Sequence, residues 1–348
     1  MKARWIKHQL QFKQPAGTSR GVLKTKDTYY IIAREEGKQG IGEVGLLRGL
    51  SPDDRPDFEE KLDEVCKYIN KGMNYWYPKL GEFPSIQFGL EQAFRDVYTP
   101  DPISHFDTFF ARGEEGQRIN GLIWMGEEDF MKEQVEKRLE EGFSCLKMKI
   151  GAIDWEKELQ ILKSIRNRFS HKELELRVDA NGGFSPEQAP AVLKELKKLK
   201  VHSIEQPIER GQWKEMAALC RNTPVPIALD EELIGVHEKD GRQELIDEIN
   251  PQYIILKPSF IGGWSGSRDW INRAEKKKIG WWVTSALESN IGLNAIAEWT
   301  STLGNEMPQG LGTGSLYTNN IDGPLYVYKG HLVKVQKPWD LSIFEKQS

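Results

Sequence analysis

Cys145-Leu146-Lys147-Met148-Lys149-Ile150-Gly151 is the stretch on which fold and chemistry both turn. An apolar run that short, ended by glycine, reads as a strand, and alternation puts Lys147 and Lys149 on one face. An inward lysine is expensive. It stays charged only if paired, and a second ammonium beside it lowers its pKa. A lysine lowered in this way takes a proton from carbon near neutral pH. The bland alternative is a solvent-washed edge strand, where lysine is common. The residues downstream decide between the two.

Downstream, strand and helix alternate. Strands are predicted at 119–124, 145–149, 174–179, 203–205, 226–230, 253–257, 281–284 and 309–312. A charged amphipathic helix over 127–141 precedes the Lys-x-Lys strand, and Trp155, Leu159, Leu162, Ile165 and Phe169 line one face of the next. Ser185-Pro186-Glu187-Gln188 predicts a helix start with Ser as N-cap, and Pro190 makes its first turn irregular. The strand ends Lys149, Asp179, Glu205, Asp230, Lys257, Ser285 and Gly312 lie 30, 26, 25, 27, 28 and 27 residues apart. One strand, one helix and two loops fill that length, and parallel strands require such crossovers. Eight of them close into a barrel, for which ~200 residues is a fair length.

An open doubly wound sheet would want a glycine-rich phosphate turn after its first strand, and none is present. Gly310-Leu311-Gly312-Thr313-Gly314 comes last and lacks the spacing. There is no Walker motif, and Gly263-Trp264-Ser265-Gly266 falls short of a nucleophile elbow.

Before about residue 100 the pattern is different. Strands are predicted at 6–12, 28–33 and 40–45, with a small-residue loop over 14–21 and a mobile segment over 46–55. Helices follow over 57–70, where Phe58, Leu62, Val65 and Ile69 share a face, and over 86–98. This is an α+β unit. Lys and Arg number 48 against 52 Asp and Glu, a net charge of −4 that gives no electrostatic case for nucleic acid. No run of ~18 apolar residues predicts a membrane span, and the charged start lacks the apolar core of a signal peptide. Cys66, Cys145 and Cys220 are far apart and read as reduced thiols of a cytoplasmic protein. Six scattered histidines set histidine-bound metals aside.

Side chains at the C-terminal strand ends of a barrel converge on one mouth. Here they are Lys147 and Lys149, Asp179 in Arg177-Val-Asp-Ala-Asn-Gly, Glu205 in Ile204-Glu-Gln-Pro, Asp230 in Ala228-Leu-Asp-Glu-Glu, and Lys257 in Ile255-Leu-Lys-Pro. A single Asp at a strand end is more often an N-cap. Three acids on consecutive strands, flanked by lysines, point instead to a hard divalent cation, Mg2+ with Mn2+ as substitute. Alternation puts Asp230 and Glu232 on one side and Glu231 on the other, which leaves the third ligand open by one position. A lysine on either side suits removal of a proton α to a carboxylate, where a metal on the enediolate oxygens supplies several kcal/mol. No histidine stands near the end of the seventh strand, so the opposite face has Lys257.

The order Lys-x-Lys, Asp, Glu, Asp, Lys resembles the muconate-lactonising subgroup of the enolase superfamily, over nearly the whole chain. The resemblance implies an α+β capping domain over 1–104 and a TIM-like (β/α)7β barrel over 105–319, with 320–348 returning near the capping domain. Within the subgroup, Pro15 to Leu23, Ser285-Ala-Leu-Glu-Ser289 and Gly310 to Tyr317 resemble the o-succinylbenzoate synthase family of menaquinone biosynthesis. That family dehydrates a small carboxylate, 2-succinyl-6-hydroxy-2,4-cyclohexadiene-1-carboxylate. Carried over, Asp179, Glu205 and Asp230 are the Mg2+ ligands and Lys149 is the base, which also returns a proton to the departing hydroxide. Lys257 stays charged against the ring, and Lys147 holds Lys149 or a ligand carboxylate. Ser285, Gly312 and Thr313 contact substrate carboxylates, and Arg20 meets the succinyl end or clamps the mouth.

The same residues serve racemases and epimerases, since two lysines permit two-base exchange. Dipeptide epimerases of the subgroup carry Asp-x-Asp where this chain has Gly312-Thr313-Gly314, so a cationic dipeptide fits poorly. An N-acylamino-acid racemase fits better, and muconate lactonisation is a third possibility. A catalytically dead binding barrel is a fourth reading, against which the complete lysine and acid set argues. The sequence leaves the oligomeric state open.

Overall fold

The computed structural model describes the chain except residues 19–20, 125, 152–153 and 346–348, and gives no side-chain placement at 16–18 and 128. A three-stranded antiparallel sheet opens it: β1 (Lys2–Thr18), β2 (Gly21–Glu35) and β3 (Lys38–Val44). Helices α1 (Phe58–Lys67), α2 (Met73–Trp76) and α3 (Pro84–Val97) follow. The predicted face of α1 is buried at Phe58, Leu62 and Val65, but a 3-10 turn at Ile69–Lys71 replaces its last turn.

Pairing of β1 with β2 overturns the predicted loop over 14–18 and at Gly21; residues 19–20 lie outside the described residues. β1 and β2 stay paired from Lys2↔Arg34 to Thr18↔Gly21, with a register shift between Gln11 and Ala16. Pro15 lies in that shift, where a residue unable to donate to the ladder is tolerated. The 46–55 segment is a run of turns, tied where Leu47 N donates to Ser51 Oγ and Gly49 N to Asp54 Oδ2. β3 packs on α3 at bare backbone: a Cβ on Gly42 would collide with Gly89 O.

The second part begins with the short β4 (Gln117–Arg118) and then runs β5 (Gly121–Ile123), α4 (Glu128–Glu140), β6 (Cys145–Lys149), α5 (Trp155–Arg168) and β7 (Glu175–Asp179). It continues through α6 (Ala189–Lys198), β8 (Ser203–Glu205), α7 (Trp213–Asn222), β9 (Ile227–Leu229) and α8 (Lys239–Ile249). β10 (Tyr253–Leu256), α9 (Pro258–Ile261), α10 (Gly263–Lys276), β11 (Gly280–Val283) and α11 (Asn290–Ser301) complete the alternation. Strands β5 to β11 form one parallel sheet in sequence order. Parallel bridges Thr284↔Gly310 and Ile119↔Gln309 join its two edges through the eighth segment. The ring is closed, with apolar residues of strands and helices in one continuous core.

α6 starts one turn later than Ser185 predicts. Ser185 and Gln188 exchange the capping-box bonds, Gln188 N to Ser185 Oγ at 3.3 Å and Ser185 N to Gln188 Oε1 at 3.0 Å, but around a turn. Pro190 then falls in the first helical turn, where its missing N–H costs nothing. The end of the chain returns twice. The hairpin of β12 (Leu325–Tyr328) and β13 (His331–Lys334) pairs with β4. α12 (Ser342–Glu345) sets Phe344 edge-on to Tyr30 of the small sheet, ring centroids 5.0 Å apart. No helix among the described residues is long and apolar enough to cross a membrane.

Candidate active site

Lys149, Asp179 and Glu205 are register partners across β6, β7 and β8, and Asp230 and Lys257 directly follow β9 and β10. Alternation turns Lys147 and Lys149 into the barrel, 7% and 9% exposed, which excludes the edge-strand alternative. Lys147 Nζ stands 3.0 Å from Asp179 Oδ2 and 2.5 Å from Glu205 Oε2. Lys149 Nζ donates to Asp179 Oδ2 at 3.1 Å and to Asn181 Oδ1 at 2.5 Å. Lys257 Nζ donates to Asp230 Oδ2.

These pairs reverse one expectation. Burial pulls the Lys147 ammonium down, but Asp179, Glu205 and Asp230 prevail and its pKa ends above the ordinary lysine value. Lys257 is raised likewise, burial being overcome by Asp230, Glu205 and Glu231. A neighbouring ammonium depresses a lysine only where carboxylates do not outweigh it. Asp179 is held well below the usual carboxylate range: burial opposes this, and Lys147, Lys149 and Lys257 overcome it. Glu205 moves the other way, pushed well up by burial and by Asp179 against the pull of Lys147.

Two further residues belong to the site. Asn181 N donates to Asp179 Oδ1 at 3.1 Å, and Asn181 Nδ2 donates to Glu231 Oε1 at 2.9 Å. Together with its contact to Lys149, this makes Asn181 a bridge across the cluster. Its signal in the sequence is Asp179-x-Asn181, asparagine being one of the few residues at ease with a φ of +44°. Glu231 is a correction. β9 ends at Leu229 and a 3-10 turn over Glu231–Leu233 follows, so strand alternation does not extend that far. Glu231 lines the cavity, while Glu232 accepts from Gln206 Nε2 at 3.0 Å and Gly211 N at 2.7 Å.

A cavity of about 690 Å3 lies over the cluster. Its wall includes Lys147, Lys149 and Lys257 together with Ser285, Gly312 and Thr313, with Leu47 and Leu50 reaching in from the turns after β3. Ser285 Oγ and Thr313 Oγ1 are 2.7 Å apart, so two predicted substrate contacts already hold one another. Arg20 lies outside the described residues.

Among the described residues no three acidic, thiol or imidazole groups stand close enough to share an ion as placed. Lys147 bridges Asp179 and Glu205, and Lys257 sits on Asp230. The donor chemistry nevertheless fits a hard dication. Asp179, Glu205 and Asp230 offer carboxylate oxygens from three neighbouring strand ends, and Glu205 Oε1 is buried with no hydrogen-bond partner among the described residues. The three cysteines are free and buried, each thiol pushed up to about 12 by burial, and take no part.

Residues 130–338 match the family model for enolase C-terminal domain-like proteins. The chain is 46% identical to an o-succinylbenzoate synthase of Desulfotalea psychrophila, over 95% of this chain and 98% of that one. An L-amino acid-D/L-Glu epimerase of Francisella philomiragia subsp. philomiragia is 30% identical over 48% of this chain and 46% of its own length. Among solved structures, MenC from Desulfotalea psychrophila superposes with a TM-score of 0.85 at 42% identity, covering 96% of this chain and 99% of that one. A muconate lactonizing enzyme from Pseudomonas fluorescens, at 19% identity and TM-score 0.82 over 99% and 97% of the two chains, shares the fold.

Proposed function

The chain belongs to the enolase C-terminal domain-like family, and on that premise we propose that it is a hydro-lyase forming o-succinylbenzoate. Its substrate is 2-succinyl-6-hydroxy-2,4-cyclohexadiene-1-carboxylate, and the reaction belongs to menaquinone biosynthesis. The observation that carries this reading is the near-full-length similarity to the Desulfotalea synthase, and the lysine and acid set supports it.

Lys149, as the free amine, takes the ring proton α to the carboxylate. The C–H pair moves into the carboxylate as an enediolate, then returns to expel the 6-hydroxyl as the ring becomes aromatic. The proton held on Lys149 leaves with that hydroxide as water, so both events occur on one face of the ring. Asn181 and Asp179 aim the Lys149 nitrogen. Lys257 remains an ammonium on the opposite side, in keeping with its raised pKa, and draws the developing negative charge toward it. Lys147 keeps Asp179 and Glu205 together. Asp179, Glu205 and Asp230 would hold Mg2+, which supplies positive charge where the carboxylate oxygens gain negative charge. Ser285 and Thr313 contact the substrate carboxylates.

The test is formation of o-succinylbenzoate with Mg2+ and with chelator. Product that appears with Mg2+ and is lost with chelator is expected. No product, with rapid α-deuterium exchange and racemisation of N-succinyl amino acids in D2O, would instead make the chain a racemase.

A further inference from the structure

The turn after β11 forms one wall of the cavity, and its backbone is strained. Leu287 sits at φ +63°, a region a leucine rarely enters. It is held there by its neighbours: Leu287 N donates to Ser285 Oγ at 3.0 Å, and Leu287 O accepts from Tyr317 OH at 2.7 Å. Beneath the turn lies Glu288, 0% exposed and absent from the cavity wall. Its Oε2 accepts from Ala286 N at 2.6 Å and its Oε1 from Ser259 Oγ at 2.5 Å. Ser259 is two residues past Lys257, in α9. One carboxylate therefore ties the turn bearing Ser285 to the turn bearing Lys257.

The small sheet meets the same place. Glu43 of β3 accepts from Ser289 N and Gly292 N, both at 2.8 Å, and so caps α11 from the other part of the chain. Lys26 of β2 is 3% exposed, its Nζ has no hydrogen-bond partner among the described residues, and it sits in the field of Glu43 and Glu288. Two acids and one lysine, all buried, underlie the strained turn.

We propose that Glu288 is a positioning residue that fixes Ser285 and the Leu287 turn relative to Lys257, and so sets how the substrate anion is seated between them. The proposal rests on the dehydratase reading for its substrate. Glu288 touches no reacting atom. Its loss therefore weakens substrate seating, while proton transfer at Lys149, on the far strand β6, persists.

The test compares wild type, Ser259→Ala, Glu288→Gln and Glu288→Ala by dehydration kinetics and by amide hydrogen exchange of residues 285–289. Ser259→Ala removes one tether with little change in volume. It should raise KM roughly five- to tenfold, the effect of one lost hydrogen bond, leave kcat within about threefold, and speed exchange in 285–289. Glu288→Gln accepts from Ala286 N and donates to Ser259 Oγ, and should stay close to wild type in both measurements. Glu288→Ala, where it folds, should exceed Ser259→Ala in both. Unchanged KM and unchanged exchange in Ser259→Ala would overturn the proposal, as would kcat falling as far as KM rises. If wild type makes no o-succinylbenzoate, the dehydratase reading fails, while the exchange measurement still decides whether Glu288 and Ser259 hold the turn.

Discussion

Lys149 and Lys257 are chemically alike and are set apart by their partners. Lys257 has a carboxylate, Asp230, to itself. Lys149 shares Asp179 with Lys147 and leans on the neutral Asn181. Lys149→Ala should lower kcat for dehydration by about 10²–10⁴ with an unchanged melting temperature; turnover close to wild type in a steady-state assay would remove Lys149 as the base. Asp179→Asn withdraws one charged donor from the acid cluster. Titration calorimetry should find weaker Mg2+ binding, and undiminished affinity would strike Asp179 from the ligand set.

Elements were legible where period and spacing reflect geometry. The recurrence of a strand end every 25 to 30 residues is what a parallel barrel demands of any sequence, so Asp179, Glu205 and Asp230 could be placed in order. Glu231 could not, because alternation assumes that the strand continues, and β9 stops two residues too early. The length of the β1–β2 hairpin was hidden by Pro15 and its small neighbours, which suit a loop and a bulge equally. The joint between α3 and α10 was hidden too. Glu91 accepts from Trp264 N and Ser265 Oγ, both at 2.6 Å, at the head of α10. Burial foremost lifts its carboxyl to about 7. A carboxyl raised in the folded state binds its proton more tightly there than in the unfolded chain. It therefore adds stability below the unfolded value and gives it up as pH rises through the folded one. Between about pH 5 and pH 7 Glu91 should make the protein lose stability as pH rises, by at most ~1.4 kcal/mol per unit. Glu91→Gln should flatten that slope in urea denaturation followed across the range; an unaltered slope would show that Glu91 does not titrate there.

On the scale of the whole molecule, the ring of strands is joined by very little. The eighth segment contributes bridges at Gln309 and Gly310, some 190 residues from the strand it meets on the far side. A chain interrupted between Glu288 and Gln309 would possess all three lysines, the acids of the cluster and Glu288, yet its sheet would end in two bare edges, the form most prone to pairing with another molecule. Unfinished copies thus hold the lysine and acid cluster in an open sheet without Gly312 and Thr313, and their exposed edges favour aggregation. Competence waits on the last segment of the ring, at Gln309 and Gly310.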